Sequence, residues 1–370
     1  MKVLIAGDYC PRSRMQALLD KNDFSFLDEV RPFTTDADYS IVNFEGCVAD
    51  ITDTPIEKIG PNLCCEKKSL QAIKYAGFDC VTLANNHFRD YGDSGVNKTL
   101  IACGEFGIDY VGGGRTLQDA QKILYKKLGD EILAVINVCE TEFSIASNSQ
   151  GGSAPLKPIH NYYAIQEAKS KADFVLVITH GGIEKYSYPT PRMKEVYRFY
   201  IDSGADAVVN HHQHCISGYE IHNGKPIFYG LGNFCFDWKT STAKLWTEGY
   251  MVVIDFNTKS IAYQTIPYKQ FAEEPKVMYN VSQEDFLKEI KSINRIIEDD
   301  KMLEEKLSEF AIRVNKLAVF EPYNSKITKS LFSRHLLPSL MSNAKIKSLR
   351  HNLKCESHYD VLMAALTNLK

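Results

Sequence analysis

The sequence has no surplus of positive charge, no disulfide spacing and no long apolar opening, and each absence removes a class of protein. Its 43 Lys and Arg stand against 46 Asp and Glu, a formal net charge of -3. A nucleic-acid-binding chain carries a basic footprint, so no nucleic-acid partner is expected. The ten cysteines form no CxxC pair, and Cys64 and Cys65 are adjacent, which is poor geometry for a bridge. That usage fits a reducing compartment. The opening MKVLIAGD has too short an apolar run for a leader or a membrane span. Cytoplasmic placement is therefore the expectation. Gly112-Gly113-Gly114 form neither a phosphate-cradling P-loop nor a dinucleotide fingerprint.

What is present is a set of short apolar runs, each ending in polar residues. With 370 residues and 44% hydrophobic content, the chain can bury a large core. Val3 to Ala6 reads as a buried strand closed by Gly7-Asp8. Asp38 to Phe44 reads as a second, leading into Glu45. Phe78 to Leu83 reads as a third, running into Asn85-Asn86-His87 and Asp90. Phe174 to Ile178 ends at His180, with Gly181, Gly182 and Glu184 beyond. Ala205 to Val209 ends at His211, His212 and His214. Arg192 to Ser203 between them has helical spacing, and Gly204 is placed to end it. Strand–helix–strand units make parallel sheets, whose ligands bind at the carboxyl ends of the strands. One rim thus collects Asp8, Asn43, Glu45, Asn86, His87, His180, His211, His212 and His214. Asp, Glu, Asn and His without thiolate describe a site for one or two divalent ions of the Mn, Fe or Zn kind. Structural readings stand beside this one: Asp8 as an Asx turn, and the two Asn as caps for a helix starting near Ser94. Gly181, Gly182 and Gly232 would let a substrate approach the backbone, or serve turns. Arg115 is placed to face an anionic substrate, and the 148–157 loop to lie over the rim.

These residues carry a resemblance. Gly7-Asp8, Asn43-Phe44-Glu45-Gly46, Leu83 to His87 with Asp90, His180 to Glu184, His211-His212-Gln213-His214 and Tyr229 to Phe234 with Asn233 stand in the order of bacterial capsule synthesis proteins of the CapA type. The resemblance implies an α/β fold, the calcineurin-like metallophosphoesterase four-layer α/β/β/α sandwich, over roughly the first 275 residues. It implies Asp8, Glu45, Asn86, His180, His212 and His214 as metal ligands, Glu45 where an Asp bridges two metals, and His87 as the catalytic His. Asn43, Asn85, Asp90, Glu184, His211, Arg115 and Asn233 would bind substrate or support the site. Three positions depart from the phosphoesterase pattern: Cys10 stands for a His, Asn210 for a Gly and Gln213 for a Pro. The first weakens one metal site. The implied activity is metal-dependent hydrolysis of a phosphoester or amide bond in capsule or poly-γ-glutamate synthesis. The other reading is a non-catalytic factor that binds the anionic polymer alongside capsule-synthesis machinery.

Residues 276–370 read as a helical extension. Ser282 and Asp285 resemble a capping box, and Phe286, Ile290, Ile293 and Ile297 follow helical spacing. Lys326 to Lys354 holds seven Lys or Arg and no Asp or Glu. The favoured reading is a helical pair with a solvated basic face, interrupted by Pro338. Docking to an anionic membrane is the alternative.

Overall fold

The first strand, Lys2–Tyr9, is buried on both faces, and the two faces meet different partners. In the computed structural model, which describes residues 1–238, 244–257, 260–279, 281–314 and 342–367 and the single residues 327, 331, 334 and 336, Val3 and Ile5 pack with Leu133, Val135, Val175 and Val177 of a second sheet. Leu4 and Ala6 pack instead with Leu70, Ile73, Val96 and Leu100, which belong to the helices Lys68–Tyr75 and Gly92–Phe106. This is the period of two in a strand sandwiched between layers. Tyr39–Phe44 divides in the same way, Ile41 to one side and Val42 and Phe44 to the other.

The first sheet runs in the order Val277–Met278, Ile261–Gln270, Glu248–Phe256, Lys2–Tyr9, Tyr39–Phe44, Cys80–Thr82, Asp109–Val111. Its last four strands are parallel. The second runs Tyr219–His222, Lys225–Phe228, Ala207–His211, Phe174–His180, Glu131–Cys139, Leu124–Leu128, with its four central strands parallel. The helices Pro158–Lys171 and Pro191–Asp202 cover this sheet's far side, placing Ile165, Ala168, Met193 and Tyr197 in the same core. Helices, sheet, sheet, helices is the four-layer α/β/β/α sandwich. Each fully buried Val, Ile or Leu in it contributes about 1.5–3 kcal/mol.

Several expectations change in detail. Gly7-Asp8 does not close the first strand, which runs on to Tyr9. Pairing shifts between Ala6 and Asp8, so Asp8 sits opposite both Asn43 and Asn233. The Tyr229 to Phe234 motif leads into a third neighbour for this strand, Asn233–Cys235, running parallel to it. Glycines hide that strand in the sequence. A Cβ at Gly7 would lie 2.0 Å from the Gly232 carbonyl oxygen. Gly7→Ala is therefore expected to destabilise by about 3 kcal/mol or more and to lower Tm by about 4 °C or more, read by calorimetry; an unchanged Tm would contradict this packing.

Glu248–Phe256 and Ile261–Gln270 pair as antiparallel strands; Thr258 and Lys259 between them lie outside the described residues. Ser282 caps the Gln283–Glu298 helix by accepting from the Asp285 N–H, and Phe286, Ile290, Ile293 and Ile297 join the main core. Helices Asp300–Val314 and Glu356–Thr367 pack together over Ile183 and Tyr186. Much of the basic segment, with Pro338, lies outside the described residues. No helix among the described residues is long and apolar enough to cross a membrane.

Candidate metal centre

Asp8, Asn43 and Thr82 occupy aligned positions on three neighbouring parallel strands. Their side chains form a buried polar row: Thr82 Oγ1 donates to Asn43 Oδ1 (3.1 Å), and Asn43 Nδ2 donates to Asp8 Oδ1 (2.7 Å). Asn43 Nδ2 also lies 3.3 Å from His180 Nδ1, which links the first sheet to the end of a second-sheet strand. His180 and His211 are themselves register partners. The carboxyl ends of both sheets therefore converge, as the strand–helix–strand reading requires.

Two groups of ligand-type atoms result. In the first, atoms of Asp8, Glu45 and His214 all lie within 4.8 Å of one another, and all three residues are buried. His214 Nδ1 is 3.4 Å from Asp8 Oδ2, and its Nε2 is 3.4 Å from Glu45 Oε1. Asn233 holds this imidazole, with Oδ1 2.9 Å from Nδ1. His211 Nδ1 is 3.7 Å from Asp8. In the second, His180 Nε2 lies 3.0 Å from Asn86 Oδ1 and 3.1 Å from His212 Nδ1. His212 Nε2 in turn lies 3.7 Å from Glu142. His212 and His214 have φ of 92° and 54°. The backbone there is held in a region costly for residues with a side chain, a feature that clusters at functional sites.

The electrostatics of the first group favour a cation. Glu45 is fully buried, and neither carboxylate oxygen has a hydrogen-bond partner; both ring nitrogens of buried His211 lack one as well. Burial pushes the Glu45 carboxyl well above its ordinary range. Burial works against Asp8 too, but His214, His211 and His180 outweigh it and hold Asp8 well below the usual carboxylate range. Burial pulls His214 down, and Glu45, Asp8 and Glu184 overcome it and raise it to about 10. Isolated buried carboxylates and imidazoles without partners are costly, and a divalent cation satisfies both at once. The donor set fits such an ion.

His87 stands beside the first group with Nε2 3.9 Å from Glu45 Oε1. Its Nδ1 is 2.6 Å from Asp90 Oδ2, and Asp90 Oδ1 pairs with Lys58 Nζ at 2.5 Å. Asp90 also accepts from the Leu63 N–H. Burial, followed by the Lys58 charge, lowers His87 to about 4 against the pull of Asp90.

The other expected residues fall into place differently. Asn85 does not reach the cluster; it ties the turn together, donating to Phe44 O and accepting from the His87 N–H. Neither Asn caps the following helix, whose N-cap is Tyr91 with no side-chain bond. Glu184 is exposed at the cluster's edge, where desolvation is outweighed by His214, His212 and His87, which lower its carboxyl. Arg115 is exposed and bonds Asn97, not a site residue. The 148–157 loop does not lie over the rim. Its Gly152–Ser153 pairs with Gly113–Gly114, and Ser153 Oγ donates to Asn85 O, packing against the turn. Gly181 and Gly232 abut the chain's own Glu140 side chain and Glu248 carbonyl, so their space serves packing.

The three departures have physical accounts. Asn210 donates to Gly181 O and Tyr229 O and accepts from Thr179 and Tyr197, stapling the strand ends. Gln213 donates to Tyr186 O and Tyr188 O, fixing the loop that carries Glu184. Cys10 is buried, and burial, then its bond with Cys65, raises its thiol. Sequence reasoning misses Lys58 and Glu142. Lys58 lies in an aperiodic loop that gives no signal. Glu142 has one: it follows the Glu131–Cys139 strand, whose Cys139 aligns with His180.

The two-sheet α/β/β/α sandwich, with Asp, Glu, Asn and His gathered at its strand ends, has the calcineurin-like fold. Within it, the profile described as "Bacterial capsule synthesis protein PGA_cap" matches residues 2–238, and the chain belongs to that family. It is 34% identical over 247 residues to the capsule biosynthesis protein CapA of Bacillus anthracis, covering 64% of this chain and 60% of that protein. Over 217 residues it is 35% identical to the PGA biosynthesis protein CapA of Bacillus subtilis, covering 58% and 57%. The match thus spans no more than 60% of either relative's length. Among solved structures, a hypothetical protein from Thermus thermophilus superposes with TM-score 0.47 at 18% identity, covering 73% of this chain and 99% of that one. A putative 5'-nucleotidase from Staphylococcus aureus gives 0.43 at 15%, covering 79% and 58%.

Proposed function

We propose that the chain is a metal-dependent hydrolase serving capsule or poly-γ-glutamate synthesis, cleaving a phosphoester or amide bond. The observation that carries this reading is Glu45, a fully buried carboxylate with no hydrogen bond on either oxygen, set among imidazoles. Asp8, Glu45 and His214, with His211, would hold one Mn, Fe or Zn ion; Asn86, His180 and His212 would hold a second. The chemistry such ions supply is polarisation of the group under attack and activation of water. His87 is neutral at neutral pH, with Nδ1 engaged by Asp90, so Nε2 accepts a proton from the attacking water and returns it to the leaving group. Asp90 and Lys58 orient the ring. Arg12, 4.9 Å over the Trp238 ring and with a buried Nη1 lacking an acceptor, supports recognition of an anionic substrate. So does Lys185, 5.8 Å from the Trp246 ring, which itself lies 5.1 Å from His214.

The test is turnover of bis-p-nitrophenyl phosphate, p-nitrophenyl phosphate and a γ-glutamyl amide with Mn present. Hydrolysis of any of them that chelator abolishes and Mn restores supports the reading. Polyglutamate binding with no turnover of ester or amide would overturn it and assign the chain to polymer assembly.

A further inference from the structure

The C-terminal helices bring a second set of metal-ligating side chains to the rim, sharing only Glu142 with the cluster described above. Cys355 lies fully buried at the junction of the helices Asn343–Lys354 and Glu356–Thr367. Ligand atoms of Glu142, Cys355 and His358 all lie within 4.8 Å of one another. Donors around one tetrahedral zinc ion sit roughly 3.3–3.8 Å apart, given bonds of about 2.0–2.3 Å. Side-chain rotation closes the difference. His351 adds a fourth candidate donor: its Nε2 is 3.9 Å from Glu142 Oε2, and its ring stacks on Phe143 at 4.9 Å. Asn352 Oδ1 lies 3.2 Å from His358 Nδ1 and orients that ring.

Glu140 also approaches Cys355, but its oxygens are committed to Arg192, Ser357 and the Gly182 N–H. Glu356 is committed to Thr141. Glu142 makes only longer approaches, 4.0 Å to Cys355 Sγ and 3.7 Å to His212 Nε2.

We propose that Glu142, Cys355 and His358, with His351, form a thiolate-containing site for a zinc-class cation that fastens the C-terminal helical pair to the rim. Thiolate with imidazole selects zinc and its chemical neighbours over Mg or Mn. The shared Glu142 makes this ion a neighbour of the His212 group. The inference does not depend on the hydrolase reading, because the two sites differ in one donor: the rim cluster has no thiolate.

Cobalt(II) separates them. Full-length protein stripped of metal and loaded with cobalt is expected to show an intense near-ultraviolet sulfur-to-cobalt charge-transfer band. That band should vanish in Cys355→Ser, fall in His358→Ala and persist in His214→Ala. As a measurement needing no substitution, zinc should slow alkylation of wild-type Cys355 by N-ethylmaleimide, read by peptide mass spectrometry, at least tenfold. A band retained in Cys355→Ser, no band in wild type, or alkylation indifferent to zinc overturns the proposal.

Discussion

His87→Ala is expected to lower kcat by about 10²–10⁴-fold, the range for losing one positioned acid–base group, while the metal content of the protein stays at the wild-type level. The separation follows from geometry. His87 Nε2 reaches only 3.9 Å from Glu45, and its Nδ1 is taken up by Asp90. It stands beside the first group of ligand atoms without belonging to it. Inductively coupled plasma mass spectrometry reads one half of the prediction and steady-state kinetics the other. Asp90→Asn should fall between the two, because the ring stays while the carboxylate that fixes its tautomer is lost. A variant that loses metal along with activity would make His87 a ligand instead.

The second large effect concerns Glu45→Gln. In wild type, saturating Mn at a thousandfold excess over Kd should stabilise by about 4 kcal/mol. In the variant that gain should disappear, since a neutral amide replaces the charged ligand. The metal-free variant should be close in stability to metal-free wild type, because the buried carboxylate removed has no hydrogen bond, and His214, 3.4 Å away, offsets only part of its desolvation. A variant less stable than wild type under chelator would show that Glu45 is structural. The pH dependence of the metal-free protein has a definite sign. His214 is raised to about 10 in the fold, so its contribution is fully present below its ordinary value near 6.5 and is lost as pH rises toward 10. Asp8 is depressed, so its contribution is present above the ordinary carboxylate range and is lost on acidification. Chemical unfolding of chelator-treated protein across pH should therefore decline on both sides.

Much of this centre is legible in the sequence because parallel strands deliver their polar residues at one end. Asp8, Asn43, His180 and His211 each terminate or follow a Val- and Ile-rich run, and that rule alone brings them together. The layer order needs the family resemblance, since the run of a strand does not say which sheet it joins. Lys58 escapes because its importance lies in a pairing with Asp90 across a loop, a contact without periodicity. Arg115 misleads because a basic residue after a glycine run suits an anion equally well on paper, and its actual partner, Asn97, comes from the preceding helix. Asn210 and Gln213 look like losses relative to the phosphoesterase pattern. Their bonds to Tyr229 O and Tyr188 O hold the strand end and the loop, in Gln213's case replacing a proline's restriction with hydrogen bonding.

The place of Lys2–Tyr9 between Tyr39–Phe44 and Glu248–Phe256 has a consequence during synthesis on the ribosome. One edge of that strand finds its neighbour within tens of residues. The other waits for a segment about 240 residues later, a delay of roughly 12–50 s at about 5–20 residues per second. For that interval Val3, Leu4 and Ile5 present an open β-edge, the kind of surface that chaperones shield and that aggregates recruit. A cation cannot shorten the wait, because Asp8 precedes His214 by most of the same stretch. Nascent chains stalled before residue 248 are where the protein is most exposed to misassembly.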